Sequence, residues 1–379
     1  MSRGTRPISD LVARLRLART DGVGPVTYRR LLTRFGSAAA ALDALPGLIR
    51  AAGRTEKTIP PVAAVEDEIA ALTRLGATLL MAHMPAYPPL LAMLADPPPA
   101  LSVLGDVTLL AKRAVAIVGG RQASLNGQHI AANLSASLAE AGLAIVSGLA
   151  RGVDAAAHEA ALKARGITIA AVAGGLDQTY PPQHIDLQRR IAETGAVVSE
   201  APFGTQPQAR HFPRRNRIIA GLSLGVVVVE AARHSGSLVT ARLALESGRE
   251  VFAVPGSPLD PRCHGSNDLI RQGAQLTETA ADVLANLPQG PEQLRPPASL
   301  AEPAQAFDYA SETEEAPIET RNAVLQMLSP APTSVDDLLR HCQFTSHAAI
   351  MAALLDLELG GRIESLPGNR VVLIPEFGG

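Results

Sequence analysis

The stretch AVAIVGGRQAS, residues 114–124, sets the fold class of this 379-residue chain. Its five consecutive apolar residues are typical of a parallel strand covered on both faces, and the pair Gly119-Gly120 separates that strand from a helix near 124–141. The same strand–loop–helix unit then recurs. We expect further strands at 144–148, 168–175, 196–200, 225–231 and 250–256. Six strands alternating with helices predict an α/β fold, an extended Rossmann-like, doubly wound parallel sheet over residues 76–287.

The N-terminal flank, residues 1–75, predicts a small helical domain, SAM-like or helix-hairpin-helix-like. DGVGPVTYRRLLTRFGS (21–37) resembles the second half of a helix-hairpin-helix, with Gly22 and Gly24 in the turn. The residues expected on the apolar side of the helix that follows are Val26, Leu31, Leu32 and Phe35. Such a hairpin can present backbone N–H groups to a DNA phosphate, or it can serve only for packing. The proline-rich residues 85–110 are expected to wrap the central domain as an ordered lead-in.

The C-terminal flank predicts a linker and a third domain. Residues 288–316 carry six acidic residues against one arginine, together with many prolines and alanines, so we expect an acidic flexible linker. Residues 317–379 have three helical segments and the strand–turn–strand pattern RIESLPGNRVVLI, which together indicate a winged-helix-like domain. Its third helix is apolar and nearly uncharged, so the domain can contact DNA or dock onto a protein.

Composition excludes several classes of protein. No run of eighteen apolar residues is present, so we expect no membrane association, and the charged N-terminus lacks a secretory signal pattern, so we expect a cytoplasmic protein. Cys263 and Cys342 have no CxxC partner, so neither a metal site nor a disulfide is expected. The net charge is only −2, yet residues 201–229 hold four arginines and no acidic residue. That distribution indicates a confined anion-binding site.

In an open α/β sheet, ligands bind beyond the carboxyl ends of the strands. The predicted strand ends carry small residues, among them Gly119-Gly120, Ser147-Gly148 and Gly174-Gly175, so we expect a backbone-lined crevice that admits a phosphate chain. Arg121 follows the first strand and Arg151 the second. Neither GxGxxG nor GxxxxGK[ST] occurs, so no nucleotide cofactor is expected.

The segment RHFPRRNRIIAGLS, residues 210–223, is the main candidate for nucleic-acid contact. An aromatic residue, Phe212, directly precedes arginines and an asparagine, and base stacking combined with arginine–phosphate contacts holds single strands without sequence preference. Alternatively, Phe212 belongs to the core and one or two of the arginines pair with nearby acids.

Titratable residues leave an enzymatic alternative open. Asp154 and His158 are four residues apart, which suits an acid–base pair or a contact that only fixes the loop. Glu200 and Glu230 end two strands and form a possible catalytic pair for a nucleotide phosphohydrolase or glycosidase. No metal triad or GxSxG elbow accompanies them. Ser235 and Ser237 begin a helix, where they either cap it or hold phosphate.

Successive segments resemble the motifs of the DprA/Smf DNA-processing family over about residues 80–285. They are AIVGGRQAS, VSGLARGVDAAAH, AGGLDQTYPPQH, VVSEAPFG, HFPRRNRIIAGLS, VVVEAARHSGSLVTA, VFAVPG and GSNDLIRQGA. The resemblance implies a homodimer that binds and protects single-stranded DNA, loads the RecA recombinase during natural transformation, or competence, and catalyses no established reaction. It implies neither a metal nor a cofactor.

The resemblance also assigns site residues. It places Gly119, Gly120 and Arg121, from a motif usually written GSR in the family, at the DNA strand. It adds Phe212, Arg214, Asn216 and Arg217 from the FPxRNR motif. Ser147, Gly148 and Gly174 would form the pocket floor, with Arg151 beside them. Dimer contact is expected near LIRQGAQL, with Ile270 and Leu276 as candidates.

Overall fold

The computed structural model describes residues 7–51, 58–291, 318–329, 331–342, 346–366 and 369–374. They divide into two compact units. The first takes the described residues within 1–67, 95–99 and 301–379, and the second takes those within 68–94 and 100–300. From residue 292 onwards the acidic linker predicted for 288–316 lies outside the described residues, so the linker stays a prediction.

The N-terminal region consists of four helices. They are α1 (Pro7–Ala18), α2 (Pro25–Phe35), α3 (Ala38–Ala51) and α4 (Val62–Arg74). Gly22 takes a positive φ of 71° in the turn before α2, as the predicted hairpin requires. Pro25 occupies the first turn of α2, where no amide donor is needed, and Gly36 ends the helix in the left-handed conformation.

The buried side of α2 differs from the predicted one. Thr27, Tyr28 and Leu31 are buried. The other predicted members of the apolar side, Val26, Leu32 and Phe35, are only half-buried. The prediction of the apolar side was therefore wrong in part. The polar residue Thr27 is buried on this helix because it bonds to Glu358 near the C-terminus of the chain.

The second unit is built on one nine-stranded sheet. Its strands are β1 (Ala77–Met81), β2 (Ala100–Gly105), β3 (Ala114–Val118), β4 (Ala144–Ser147), β5 (Thr168–Ala171), β6 (Ala196–Ser199), β7 (Gly225–Val228), β8 (Glu250–Ala253) and β9 (Gln275–Leu276). Its helices are α5 (Pro89–Ala92), α6 (Leu125–Glu140), α7 (Val153–Lys163), α8 (Ile185–Thr194), α9 (His211–Gly221), α10 (Gly236–Glu246), α11 (His264–Arg271) and α12 (Ala280–Asn286). The spatial order is β1-β2-β6-β5-β4-β3-β7-β8-β9.

The six predicted strands, β3 to β8, are present and mutually parallel, so the doubly wound α/β prediction is confirmed. All five residues of β3 are buried, as the uninterrupted apolar run indicated. The prediction of a wrapping lead-in over 85–110 needs correction. Residues 100–105 form β2, which joins the sheet antiparallel to β6 with Ser102 opposite Ser199.

The C-terminal region forms the predicted winged-helix arrangement. Its elements are α13 (Ile318–Met327), β10 (Thr333–Ser334), α14 (Val335–His341), α15 (His347–Leu359), β11 (Ile363–Leu366) and β12 (Arg370–Leu373). The strands pair in the order β10-β12-β11. Two residues of the expected PGN turn, Pro367 and Gly368, lie outside the described residues. Among the helices that are described anywhere in the chain, none has the length and apolar character needed to cross a bilayer.

Candidate functional site

The main functional candidate is a crevice of about 970 Å³ at the carboxyl edge of the parallel strands. From the central strand β3 the chain runs outwards through β4, β5 and β6, and then returns to β7 on the other side of β3. Loops that leave neighbouring strands in opposite directions open a crevice at such a point. Its lining includes Gly119, Gly120, Arg121, Gln122, Arg151, Asp154, Tyr180, Phe212, Arg215, Asn216, Glu230, Arg233, Ser235, Ser237 and Arg262.

An aromatic and cationic stack stands on one side of the crevice. The guanidinium carbon of Arg121 lies 4.5 Å from the centre of the Phe212 ring. Tyr180 meets the same ring edge-on, at 5.9 Å between ring centres and 70° between planes. Tyr180 is 45% exposed and Arg121 is also exposed, whereas Phe212 is half-buried between them. The stack therefore presents a cation and an aromatic ring to the same ligand.

Arg215 is a buried cation at the base of the crevice. Its Nη1 donates to the carbonyl oxygens of Gly148 and, at 2.6 Å, of Ala171, at the ends of β4 and β5. Burial lowers the pKa of Arg215 to about 10, and the nearby Asp154 opposes that shift. The guanidinium therefore stays protonated at neutral pH. Gly148 is needed here because a Cβ would lie 2.6 Å from the Nη1 atom.

Asp154 and His158 do not form the acid–base pair that their spacing allowed. Asp154 Oδ2 accepts a hydrogen bond from the Ala150 N–H at 3.2 Å, and burial raises the pKa of this carboxyl while Arg215 opposes the rise. His158 Nδ1 lies 2.7 Å from Thr168 Oγ1, which donates to the Ile145 carbonyl, so the imidazole donates to the hydroxyl. Burial lowers the pKa of His158 to about 3. Both side chains therefore hold the loop and sheet in place.

Glu230 is also committed to the fold. Its carboxylate accepts hydrogen bonds from Ser124 N at 2.9 Å and Ser124 Oγ at 2.5 Å, while Ser124 itself caps α6. Gly127 packs directly against the carboxylate, and a Cβ there would lie 2.5 Å from its carbon. Glu230 thus ties β7 to the start of α6.

Arg217 lies in a buried ion pair outside the crevice lining. Its Nη2 is 2.6 Å from both carboxylate oxygens of Glu200. Arg217 is 5% exposed and the Glu200 side chain 24% exposed. The structure thus gives Arg217 a partner within the fold, as the alternative of arginine–acid pairing anticipated, and its contact with DNA stays a prediction. The same ion pair engages the carboxylate of Glu200, which the sequence offered as one member of a catalytic pair. Arg214 is exposed but likewise lies outside the lining.

The three residues predicted as the pocket floor support the crevice without lining it. Ser147 Oγ donates to the Ile117 carbonyl at 2.6 Å, and Ser199 Oγ donates to the Gly174 carbonyl at 2.6 Å. Gly148 accepts from Arg215, as described above. These bonds hold the ends of neighbouring strands together beneath the loops.

Six predicted site residues do line the crevice: Gly119, Gly120, Arg121, Arg151, Phe212 and Asn216. Asn216 donates to the Gly236 carbonyl at 3.2 Å, and so joins α9 to the start of α10. At that start, Ser235 Oγ accepts from Ser237 N at 3.3 Å, and the two hydroxyls are 2.7 Å apart.

Two glycines meet at the loop after β3: Gly120 lies within the loop, and Gly152, which precedes α7, packs against it. Gly152 has φ 77°, and a Cβ on it would collide with the Gly120 carbonyl oxygen. At Gly120 itself, a Cβ would lie 3.6 Å from its nearest neighbour, the Glu230 carbonyl oxygen, which is ordinary contact. The position that carries serine in the resembling family therefore has room for a side chain here.

Sequence reasoning missed several members of the lining, among them one aromatic residue and three arginines: Tyr180, Arg215, Arg233 and Arg262. Arg215 had been noted only as part of the basic segment. Tyr180 precedes Pro181 in the AGGLDQTYPPQH motif, and Arg233 stands close before the Ser235 cap, so proximity to known motifs was the available signal. No group of three or more His, Cys, Asp or Glu side chains within the described ranges is arranged to hold a metal ion.

The two predicted dimer residues differ in their surroundings. Ile270, on α11, is half-buried and packs against the main core. Leu276 is 43% exposed on β9, the last strand of the sheet. Of these two residues, Leu276 is the one that offers exposed apolar surface at this edge.

Comparisons with known proteins match this chain over nearly all of its domains. A family model described as DNA recombination-mediator protein A matches residues 78–288. Models of a DprA-like N-terminal HHH domain and a DprA winged helix domain match residues 9–71 and 309–369. Protein Smf of Escherichia coli is 40% identical over 83% of this chain and 82% of its own length. DNA processing protein DprA of Bacillus subtilis is 44% identical over 58% of this chain and 75% of its own.

Solved structures agree with the sequence matches. DNA processing protein A from Streptococcus pneumoniae superposes with a TM-score of 0.58 and 38% identity, covering 67% of this chain and 83% of its own. A structure that describes the single-stranded-DNA binding mode of DNA processing protein A from Helicobacter pylori gives a TM-score of 0.50 and 32% identity, covering 55% of this chain and 94% of its own. The family matches in the order helical, α/β and winged-helix follow the architecture described above. This chain therefore belongs to the DprA/Smf family, whose central domain is that of DNA recombination-mediator protein A.

Proposed function

We propose that the crevice binds single-stranded DNA without sequence preference. The observation that carries the proposal is the stack of Arg121, Phe212 and Tyr180 at the mouth of a crevice that also exposes Arg151 and Arg233. Aromatic rings stack on any base and arginines bind any phosphate, so this combination holds a strand by its common features. The Helicobacter pylori relative, whose structure concerns its binding of single-stranded DNA, supports the same assignment.

We propose that the protein binds the strand without cleaving it. Both oxygens of Glu230 accept from Ser124, and Glu200 pairs with the buried Arg217. A general acid or base must reach the substrate proton, and carboxylates already committed to the fold are poorly placed for this. This arrangement disfavours the phosphohydrolase or glycosidase alternative.

Fluorescence anisotropy with labelled oligo(dT) and with duplex DNA tests the binding proposal. We expect a preference for the single strand, with affinity that falls steeply as salt rises. Arg121→Ala should weaken binding about tenfold at low salt, since it removes a phosphate or base contact, and should reduce the salt slope by about 0.7. Arg242→Ala is the matched control, because Arg242 is 61% exposed on α10 and lies outside the crevice lining.

Equal losses in the Arg121 and Arg242 variants would show that general surface charge is responsible, and would overturn the crevice as the site. Binding of duplex and single strand with equal affinity would overturn the class of ligand. In that case, hydrolysis of a nucleoside monophosphate panel, with Glu230→Gln as the control, would test the enzymatic alternative.

We further propose a homodimer that forms at the β9 edge. A strand edge has free backbone donors and acceptors, and Leu276 adds exposed apolar surface to it. Leu276→Lys should convert the dimer to a monomer in light scattering. Leu259→Lys is the control, since Leu259 is 90% exposed elsewhere in this unit. A dimer that persists in Leu276→Lys would contradict this assignment.

The family resemblance supports a cytoplasmic role in natural transformation, with the bound strand passed to RecA. The measurement is the delay before RecA hydrolyses ATP on single-stranded DNA. This protein should shorten that delay, and Arg121→Ala should not. An unchanged delay with the parent protein would contradict the loading role.

A further inference from the structure

The third helix of the winged-helix domain, α15, is apolar all round. Its sequence HAAIMAALLDLEL has two acidic residues, Asp356 and Glu358, near its C-terminal end. A helix without a polar face needs cover on every side. One side, with Ile350, Ala353, Leu354 and Leu357, belongs to the winged-helix core.

A second side of α15 is buried elsewhere. Leu355 and Leu359 are 2% and 0% exposed, yet neither belongs to the core cluster of the winged helix. The helix contacts α2 and α3 of the N-terminal helical region, which lies in the same compact unit. The N-terminal helical region therefore lies against α15 outside the winged-helix core.

Complementary charges line this contact. Thr27 Oγ1, fully buried on α2, donates to Glu358 Oε2 at 2.5 Å. Arg30 Nη1 lies 3.9 Å from the same oxygen, and Arg34 Nη1 lies 3.8 Å from Asp356 Oδ1. Thr27, Arg30 and Arg34 are spaced by three and four residues and form one stripe along α2. The stripe thus meets both acids of α15.

The side chains of both ion pairs are largely shielded from water. The exposed fractions are 11% and 10% for Arg30 and Glu358, and 19% and 18% for Arg34 and Asp356. Removing one member of such a pair leaves a shielded charge uncompensated, so the contact discriminates strongly against a wrong partner. The two ion pairs therefore contribute chiefly to the choice of the surface against which α15 packs.

We infer that α15 is a protein-docking helix whose partner is the N-terminal helical region of the same chain. A helix that reads DNA must enter the major groove, and its exposed side chains must tolerate phosphate. In α15 that outer side is covered by α2 and α3, and its charges are negative. The same contact shields Arg30 and Arg34, whereas Arg29 on α2 remains exposed. The two ends of the chain therefore form one body.

A cleavable full-length chain tests this inference. A protease site is inserted between residues 300 and 301, and the chain is cut after folding and passed over a gel-filtration column at low micromolar concentration. We expect the C-terminal fragment to stay with the remainder. Asp356→Arg should weaken its retention at least tenfold, because it places a positive charge opposite Arg34, and Asp356→Arg with Arg34→Asp should restore it.

Arg29→Glu is the matched control, since it makes a comparable charge change at an exposed site on the same helix, and it should retain the fragment. Restoration by the exchanged pair excludes misfolding as the cause of release. Separation of the fragment from the parent protein, or failure of the exchanged pair to restore retention, would overturn the inference. A doubled mass of the uncut chain that Asp356→Arg abolishes would overturn the same-chain assignment in favour of a second copy. DNA binding by the crevice is a separate measurement, and its failure would leave this result unaffected.

Discussion

Replacing Arg217 by alanine should destabilise the protein without removing a direct DNA contact. Arg217 is 5% exposed, and its Nη2 lies 2.6 Å from both oxygens of Glu200. Breaking a buried pair by removing one partner costs about 3–5 kcal/mol. Because the Glu200 side chain keeps 24% of its surface in water, we expect a loss near the lower limit, about 3 kcal/mol of unfolding free energy.

Urea unfolding of the parent, Arg217→Ala, Glu200→Ala and the double variant measures this loss. The double variant should lose less than the sum of the single variants, because removing both partners leaves no unpaired charge. In native buffer, Arg217→Ala should bind oligo(dT) within about twofold of the parent, as expected for a contact outside the crevice. A loss of DNA binding with an unchanged urea midpoint would refute this reasoning and return Arg217 to the DNA-contacting set.

Three further substitutions probe the loop after β3 and the buried histidine. Gly120→Ser should leave the urea midpoint unchanged, because there is room for the side chain. It should tighten oligo(dT) binding about twofold to tenfold, because the new hydroxyl adds a hydrogen-bond donor. Weaker binding by this variant would contradict the prediction. Gly152→Ala should lower the free energy of unfolding by about 2 kcal/mol and abolish oligo(dT) binding, because its φ is 77° and the added Cβ would collide with the Gly120 carbonyl oxygen. Unchanged values in the same two assays would contradict this prediction. Burial lowers the pKa of His158 to about 3 in the folded protein, whereas its ordinary value of 6.5 applies to the unfolded chain. Between these two pH values the unfolded chain binds more protons than the folded protein. The stability of the protein therefore falls as the pH drops below 6.5. At pH 5 this loss is about 2 kcal/mol, and thermal melting of His158→Asn from pH 7 to 5 should lack it; an equal decline in both proteins would refute the assignment.

Continuous apolar runs made the central sheet predictable. Residues 114–118 and 225–228 are buried over their whole length, which is what a strand covered on both faces requires. The outer strands were missed for a different reason. Strand β2 follows three prolines and pairs with β6 almost a hundred residues away, and β9 has two residues only. Their strand character comes from non-local pairing, which periodicity does not reveal.

The candidate site was predictable where a residue follows a strand and faces its open end. Arg121 and Arg151 are examples, and both line the crevice. The ion pair of Arg217 was not foreseen, because the window from 201 to 229 contains no acidic residue. Its partner, Glu200, immediately precedes that window, so a count of local charge hid the ion pair. The covered side of α2 was missed because its partner α15 is more than three hundred residues away along the chain.

The bond between Glu230 and Ser124 has an electrostatic consequence for the path of a bound strand. Among the helices that begin beside the crevice, α6 and α10 differ in how their N-termini are capped, and each N-terminus carries a partial positive charge of roughly half a unit. At α6 the carboxylate of Glu230 already neutralises this field, whereas α10 is capped by the uncharged hydroxyl of Ser235. Phosphates should therefore follow the α10 side of the crevice. The bases should face Arg121 and Tyr180 on the other side. A strand bound without sequence preference would then still have a defined orientation across the crevice, with its phosphates on one side and its bases on the other.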